Sequence, residues 1–242
     1  SPARPPFALP FRQLNASKGQ AVRSSRCQSD RRRYRLRMQE VVAAQPRLTV
    51  IEDQITEILT DGGRVTGVKT AGGLRLAAAT VVLAAGTFLN GRMHRGPEIT
   101  PGGRIGEPAA TRLADNLRAL GFPLWSFKTG TPPRLDGRTI DFSRMEAQHS
   151  DTPPLPFSFR TPALPARQRL LPCHITRTTE VTHDIIRANM HLSPMYSGQI
   201  EATGVRYCPS IEDKLQKFGD KPSHHVFFEP EGLDTDRSEE HT

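Results

Sequence analysis

The spacing of apolar residues predicts a helix near the start of the chain. Residues 31–44 are rich in Ala, Leu, Met, Gln and Arg, which favour helices. Their apolar residues recur every three or four positions, which predicts one buried helical face. These residues are Tyr34, Met38, Val41 and Val42. Pro46 interrupts the pattern, so the helix is expected to end before it.

After this helix the apolar pattern changes to that of strands. Residues 55–76 contain short alternating runs and two glycine turns, which predicts a small antiparallel meander. Residues 79–85 form a continuous apolar run that ends at Gly86 and is typical of a strand buried on both faces. Residues 48–51 are also apolar, and we interpret them as a strand. A helix, a β-rich insertion and a buried strand together predict part of an α/β domain.

The second half of the chain contains fewer regular patterns. Residues 109–120 place three leucines on one helical face, which predicts a helix. Prolines are frequent from residue 122 to 169, so we expect extended segments there. Further predicted elements are a strand over residues 171–176, a helix over 182–190 with Thr182 as its N-cap, and a helix over 209–218.

Charge is concentrated in one segment of an otherwise neutral chain. The 242 residues have a formal net charge of +8, and residues 11–37 alone hold nine Lys/Arg against one acid, Asp30. The remaining residues therefore sum to zero. Such a segment predicts contact with nucleic acid, although the exposed face of a helix would also explain it. No apolar run approaches the ~20 residues of a membrane-spanning helix.

Cysteine chemistry points to one position. The three cysteines are widely spaced, which argues against a disulfide framework and favours a reducing compartment. Pro209 suits the first position of a helix, which would place Cys208 at the N-cap, where backbone N–H groups stabilise a thiolate. Arg206 would add to this effect, whereas Glu212 and Asp213 would oppose it. The alternative is that Cys208 is a small apolar residue in a helix–loop contact.

Two turns could also bind a ligand. The segment 84–87 contains a glycine that allows backbone to approach a cofactor closely, although a simple strand-to-loop turn is equally consistent with it. Lys128 and Arg134 place two cations around a rigid proline turn, which suits a phosphate or carboxylate, or a solvated loop. No Cys/His spacing matches a structural zinc site, so we expect no metal.

Five motifs in a fixed order identify a family resemblance. The motifs are LNASKGQAVR at 14–23, AAGTFL at 84–89, KTGTPPR at 128–134, YCPSIEDK at 207–214 and FEPEGL at 228–233. Together they resemble the FAD-binding large subunit of the tRNA uridine 5-carboxymethylaminomethyl modification complex, the MnmG or GidA family. The resemblance covers about residues 11–236.

The resemblance implies an activity, cofactors and partners. The family is FAD-dependent, takes a one-carbon unit from methylenetetrahydrofolate and uses NADH as reductant. It adds an aminomethyl or carboxymethylaminomethyl group at C5 of the wobble uridine of tRNA. The implied partners are tRNA and an MnmE-type GTPase, with a homodimer inside a heterotetramer. The implied location is the bacterial cytoplasm, with a mitochondrial homologue left open.

The implied fold is an α/β, Rossmann-like FAD/NAD(P)-binding domain of the glutathione-reductase type. It carries a β-rich insertion and a second, inserted α+β domain, and we expect this chain to be an internal fragment truncated at both ends. Residues 237–242 match a translated sequencing adapter. The expected parts are residues 1–125 in the FAD domain, 126–218 in the inserted NAD/substrate domain, 219–236 returning to the FAD domain, and 237–242 as a non-native tail.

The resemblance also implies roles for individual residues. Cys208 occupies the position of the second catalytic cysteine, and residues 204–218 match an NAD-binding stretch. Ala110 stands where the family often has Ser and would serve through its backbone. The implied cofactor-binding residues are Ile55, Gly86, Thr87, Ala110, Gly204, Arg206, Tyr207, Pro209, Ser210, Ile211, Glu212, Asp213, Lys214 and Phe218. The implied RNA or substrate contacts are Lys18, Arg23, Arg26, Arg31, Lys128 and Arg134.

Parts of the family pattern do not occur in this sequence. The glycine-rich FAD fingerprint and the Cys-Asn-Pro motif of the first catalytic cysteine are both absent. We therefore expect this chain alone to hold FAD weakly and to have no turnover. Two other functions stay open from the sequence. One is an FAD- and folate-dependent tRNA uracil-5-methyltransferase, and the other is a non-catalytic RNA-binding module.

Overall fold

The computed structural model describes residues 8–158, 160–164, 170–200, 203–204 and 210–241. The chain divides into two compact units. The first comprises Ser1–Leu48, Gly130–Arg187 and Pro209–Thr242, and the second comprises Thr49–Thr129 and Ala188–Cys208. These units do not show which residues belong to an FAD domain or to an NAD/substrate domain. The domain boundaries expected from the family resemblance therefore stay predictions. No described helix is long and apolar enough to cross a membrane.

The first unit contains a hairpin, a helix and a five-stranded antiparallel sheet. Strands β1 (Ala8–Leu14) and β2 (Ser24–Ser29) pair, and helix α1 (Arg31–Ala43) follows. The sheet has the order β10-β11-β13-β14-β9. Its strands are β9 (Arg134–Asp136), β10 (Glu146–Gln148), β11 (Cys173–Arg177), β13 (His225–Pro230) and β14 (Arg237–His241).

Two further helices begin in this unit, α3 (Glu180–Asn189) and α4 (Ile211–Lys217). The unit's buried apolar residues include Leu9, Phe11, Cys173, Leu215, Val226 and Leu233. Strand β14 covers residues 237–241 of the segment 237–242, which the sequence predicts to be a non-native tail. The origin of that segment stays a prediction.

The second unit contains the meander that the sequence predicts. Strands β3 (Ile55–Asp61), β4 (Arg64–Thr70) and β5 (Arg75–Ala77) pair in order. The β3–β4 turn needs two left-handed residues, and Gly62 (φ 54°) and Gly63 (φ 79°) supply them. The other elements are β6 (Arg92–Arg95), β7 (Glu98–Pro101), α2 (Thr111–Ala119) and the parallel pair β8 (Phe127–Lys128) and β12 (Thr203–Gly204).

Helix α2 forms the core of this unit, and its prediction from the leucine spacing is confirmed. Leu113, Ala114 and Leu117 are buried. The Asn116 Oδ1 atom accepts a hydrogen bond from the Ile58 N–H at 2.8 Å. This contact fixes α2 against β3.

Three predictions from apolar patterns are wrong. Residues 79–85 and 48–51 form no strand, and Val82 is 92% exposed. No residue of α1 is buried, and Tyr34 is 52% exposed. A strand needs a neighbouring strand to pair with, and the described residues offer none to residues 48–51 and 79–85. The apolar face of a helix is buried only where another element packs against it, and no described element does so at α1.

The start of α3 also differs from the prediction. The helix begins at Glu180, and the Thr179 hydroxyl accepts a hydrogen bond from the Thr182 N–H at 3.3 Å. The Thr182 hydroxyl accepts in turn from the Thr179 N–H at 3.4 Å. Thr179 is therefore the capping residue, because its side chain reaches the third N–H group of the helix, whereas Thr182 already lies inside it.

Two buried carboxylates on β13 and just after it hold the basic segment in place. Glu229 is 2% exposed and accepts hydrogen bonds from Arg26 Nη2 and Gln28 Nε2, both at 2.6 Å. Glu231 accepts from Arg134 Nε at 2.6 Å and from Arg31 Nη1 at 3.3 Å. Burial alone would raise the pKa of Glu231, but the Arg134 hydrogen bond and nearby arginine charges lower it overall.

Asp30 is a third buried carboxylate that binds the same part of the chain. We call Asp30, Glu229 and Glu231, together with the groups that they bind, the carboxylate clamp. Its carboxylate is buried and accepts hydrogen bonds from the Arg33 N–H at 2.9 Å and the Leu233 N–H at 2.8 Å. It therefore caps α1 and binds the segment after β13 at the same time. A Cβ atom added to Gly232 would lie 2.9 Å from Asp30 Oδ2. A side chain at position 232 would therefore force Asp30 or its own backbone to shift.

We expect Gly232→Ala to lower the free energy of unfolding by about 1–3 kcal/mol, because the methyl group would push the segment away from Asp30. Gly130→Ala is the matched control, since a Cβ at Gly130 meets nothing within 4 Å. We expect the control to stay within about 1 kcal/mol of the parent. Urea unfolding measures both, and equal effects of the two substitutions would contradict the clamp.

Candidate functional site

The motif with the candidate catalytic cysteine lies partly outside the described residues. Arg206, Tyr207, Cys208 and Pro209 fall there, so their catalytic and cofactor-binding roles stay predictions. The described structure resumes at Ser210, directly before α4.

The start of α4 corrects the expected N-cap. The Ser210 hydroxyl accepts a hydrogen bond from the Asp213 N–H at 3.3 Å, and the Asp213 carboxylate accepts from the Ser210 N–H at 3.0 Å. This reciprocal capping box makes Ser210 the N-cap and Ile211 the first helical residue. Cys208 is therefore not the N-cap. A hydroxyl and a carboxylate are stronger hydrogen-bond partners than a thiol, which explains the shift.

The other predicted NAD contacts on and beside α4 differ in their environments. Leu215 is buried and anchors the helix. Burial lowers the pKa of Lys214, and the negative charge of Glu240 partly opposes this. Phe218 is half-exposed, with the Lys221 ammonium 4.9 Å from its ring centroid. Ile211, Glu212 and Asp213 occupy the first turn, and their contact with NAD stays a prediction.

In the second unit, the structure brings together four predicted FAD contacts. The Ala110 N–H donates to the Phe88 carbonyl at 2.8 Å, directly after Gly86 and Thr87. The Gln54 side chain donates to the Ala109 carbonyl at 3.3 Å, which places the start of β3 beside the same segment. Ile55, Gly86, Thr87 and Ala110 therefore lie in one hydrogen-bonded cluster, although they span 56 positions of the sequence.

The turn at Gly86 leaves room for a flat cofactor to approach this cluster. Gly86 has φ 56°, and a Cβ at this position would meet nothing within 4 Å, so the turn has open space above it. The Thr87 hydroxyl donates to the Gly103 carbonyl at 2.8 Å and braces the turn. Both backbone groups of Ala110 already have internal partners, which leaves it only apolar contact to offer. These residues fit a part of an FAD surface, and the glycine-rich pyrophosphate loop does not occur in the sequence.

The predicted RNA and substrate residues fall into distinct groups. Arg26, Arg31 and Arg134 bind Glu229 and Glu231, so their charges are already neutralised. Lys18 and Arg23 are exposed. Lys128 lies in the second unit, where its backbone pairs with Gly204 between β8 and β12. The structure thus joins Lys128 to a predicted cofactor residue, Gly204.

An open groove of about 460 Å³ borders the basic segment. Its lining includes Cys27, Gln28, Arg31, Tyr34 and Glu231. Burial raises the pKa of the Cys27 thiol, and the hydrogen bond with Ser29 and the Arg26 charge only partly oppose this. Cys27 is therefore a neutral thiol at physiological pH and a poor nucleophile.

Sequence reasoning misses a buried histidine pair. The Thr178 hydroxyl lies 2.7 Å from His183 Nε2 and accepts a hydrogen bond from the His224 N–H at 2.8 Å. The two imidazole centroids are 5.4 Å apart. Both rings are buried, and His224 Nε2 has no hydrogen-bond partner in the described part of the chain. No spacing in the sequence signals this pair, because His183 lies in α3 and His224, directly before β13, comes 41 positions later in the chain.

Comparison with known proteins gives consistent matches. Residues 6–239 match the family model described as glucose inhibited division protein A. A Syntrophotalea carbinolica protein named tRNA uridine 5-carboxymethylaminomethyl modification enzyme MnmG is 51% identical over 227 residues, 94% of this chain and 36% of that protein. A Geobacter sulfurreducens protein of the same name is also 51% identical over 227 residues.

A solved structure supports the fold. The Aquifex aeolicus GidA structure in its form I crystal superimposes with a TM-score of 0.87 at 45% identity, covering 96% of this chain and 40% of that chain. The predicted α/β fold is therefore confirmed. The second inserted domain stays a prediction. This chain spans just over a third of the length of the curated relatives it matches.

We expect the histidine pair to make stability depend on pH. Burial, aided by the charges of His183, Lys214 and Lys221, lowers the pKa of His224 below its ordinary 6.5. Because the unfolded chain then binds the proton more readily, neutral His224 contributes to the free energy of unfolding. This contribution is complete above pH 6.5 and is lost as the pH falls below it. His224→Phe should flatten the loss of stability between about pH 7 and pH 5.

Urea unfolding across that pH range measures the effect. His225→Phe is the matched control, because the neighbouring His225 is exposed. The control should keep the pH dependence of the parent. An identical pH profile for the parent and His224→Phe would show that His224 is not the titrating group.

Proposed function

Because this chain belongs to the glucose inhibited division protein A family, we propose that it is part of an FAD-dependent enzyme that modifies the wobble uridine of tRNA. The proposed product carries an aminomethyl or carboxymethylaminomethyl group at C5. The observation that most strongly supports this proposal is the 51% identity to enzymes named for this modification. The cluster around Gly86 and Ala110 supports the FAD part of the proposal.

In this proposal Cys208 is the nucleophile. Its thiolate adds to C6 of the uracil ring, which gives C5 enolate-like character. C5 then attacks the carbon of an iminium ion, which forms when an amine (glycine or ammonia) takes the methylene group from methylenetetrahydrofolate and tetrahydrofolate leaves. Loss of the C5 proton and departure of the thiolate from C6 restore the aromatic ring. The residue must be deprotonated before attack, and Arg206 is the nearest cation in sequence that favours its thiolate.

The cofactor roles divide between two groups of residues. Ile55, Gly86, Thr87 and Ala110 would contact FAD, and the stretch from Gly204 to Phe218 would contact NADH. Bound FAD would accept hydride from NADH, as the family resemblance implies. Because these residues form only part of an FAD surface, this chain on its own would hold FAD weakly and have no turnover.

The proposed partners follow from the same family. They are tRNA and an MnmE-type GTPase, with the full-length protein as a homodimer inside a heterotetramer. The proposed location is the bacterial cytoplasm. Exposed cations in the basic segment support the tRNA contact, because phosphate neutralisation dominates RNA affinity.

We expect Cys208→Ser in the full-length protein to abolish wobble-uridine modification and to leave tRNA affinity within about twofold, since a serine hydroxyl is a far weaker nucleophile than a thiolate. Cys27→Ser is the matched control and should retain modification, because the Cys27 thiol stays protonated. Mass spectrometry of digested tRNA measures the product.

Two outcomes would overturn the proposal. Modification by Cys208→Ser at the parent rate would remove Cys208 from catalysis. Appearance of 5-methyluridine as the product would instead indicate a folate-dependent methyltransferase.

A further inference from the structure

The basic segment divides into cations that are already paired and cations that are not. Four of its arginines bind carboxylates, and a fifth, Arg12, donates to the His149 carbonyl at 3.1 Å. The four bound to carboxylates are Arg26, Arg31, Arg33 and Arg37. The four remaining cations, Lys18, Arg23, Arg32 and Arg35, have no ion pair with a described residue. The charge of the segment is therefore half neutralised.

On helix α1 the paired Arg33 and Arg37 lie on one side, whereas the paired Arg31 lies one turn before the unpaired Arg35. Arg33 binds Asp234 at 2.5 Å, and Arg37 binds Glu40 at 3.1 Å, so one side of the helix is neutral. Arg32 and Arg35 are three positions apart, so they share the adjoining face. Both are exposed. The clamp at Asp30 sets the orientation of the helix and thereby of this face.

We propose that Arg32 and Arg35 bind phosphates of the tRNA substrate. This inference rests on the proposed function and specifies which cations serve it. Guanidinium groups bind phosphate through paired hydrogen bonds, and neither side chain must first leave a carboxylate. Their Cβ atoms lie about 5–6 Å apart on the helix, which lets both reach neighbouring phosphates of one strand.

Arg26, Arg31 and Arg134 are excluded from this role by their partners. Glu229 and Glu231 are almost fully buried, and removing their arginines would leave buried charges unpaired. RNA phosphates would have to compete with a carboxylate already in place. These three arginines therefore position the fold and do not contact RNA.

The size of the effect follows from counterion release. Each phosphate neutralised contributes about 0.7–0.9 to the slope of log affinity against log salt. Loss of two contacts should lower the slope by about 1.4–1.8. At about 0.1 M salt this corresponds to a roughly 25- to 60-fold loss of affinity.

The test measures binding of a tRNA anticodon stem-loop to the 242-residue chain at several salt concentrations. Arg32→Gln with Arg35→Gln is the test pair, and Arg33→Gln with Arg37→Gln is the matched control. Both pairs remove two charges from the same helix, so a net-charge effect would be equal in both. We expect the full slope change in the test pair and less than a third of it in the control.

Equal losses in the two pairs would overturn the inference, as would a test pair that binds like the parent. In the second case the proposed function would still stand. If the control pair unfolds, the single variants Arg35→Gln and Arg37→Gln replace the doubles. A parent chain that binds no RNA would also overturn the inference. The proposed function is tested separately, by measuring whether the full-length protein modifies tRNA.

Discussion

The first unit depends on the interaction between buried carboxylates and the arginines of the basic segment. Glu229 and Glu231 are withdrawn from water, and this costs free energy that only charged hydrogen bonds can offset. Arg26 and Gln28 supply these bonds from β2, and Arg134 supplies them from β9. One short segment therefore fixes two strands and, through Asp30, the start of α1. The FEPEGL motif that identifies the family is the acidic half of this interaction.

Local signals in the sequence predict local structure well. The glycine pair at 62–63 predicts the β3–β4 turn because only left-handed residues match the twist of a hairpin. Leucine spacing predicts α2 because its partner, β3, lies in the same unit. Residues 79–85 mislead for the opposite reason, since an apolar run forms a strand only where neighbouring strands pair with it. The number of charged residues can likewise be read from the sequence, but not the fact that a carboxylate about 200 positions away neutralises Arg26 or Arg31.

The candidate site shows the same limit. The resemblance names Ile55, Gly86 and Ala110 separately, and only the fold shows that backbone hydrogen bonds gather them. Pro209 suggests a helix start, yet the capping box at Ser210 competes better for the first N–H groups. The histidine pair has no sequence signal at all, because His183 and His224 meet only through tertiary packing. Contacts between segments that are distant in sequence are therefore what these motifs cannot predict.

A double-mutant cycle on Arg26 and Glu229 tests most directly whether the carboxylate clamp holds the first unit. The four proteins are the parent, Arg26→Met, Glu229→Gln and the double variant, compared by urea unfolding. We predict a coupling free energy of about 1.5 kcal/mol or more, as expected for a hydrogen-bonded charge whose acid is buried. Effects that add within about 0.5 kcal/mol would contradict the account, because the two side chains would then contribute independently.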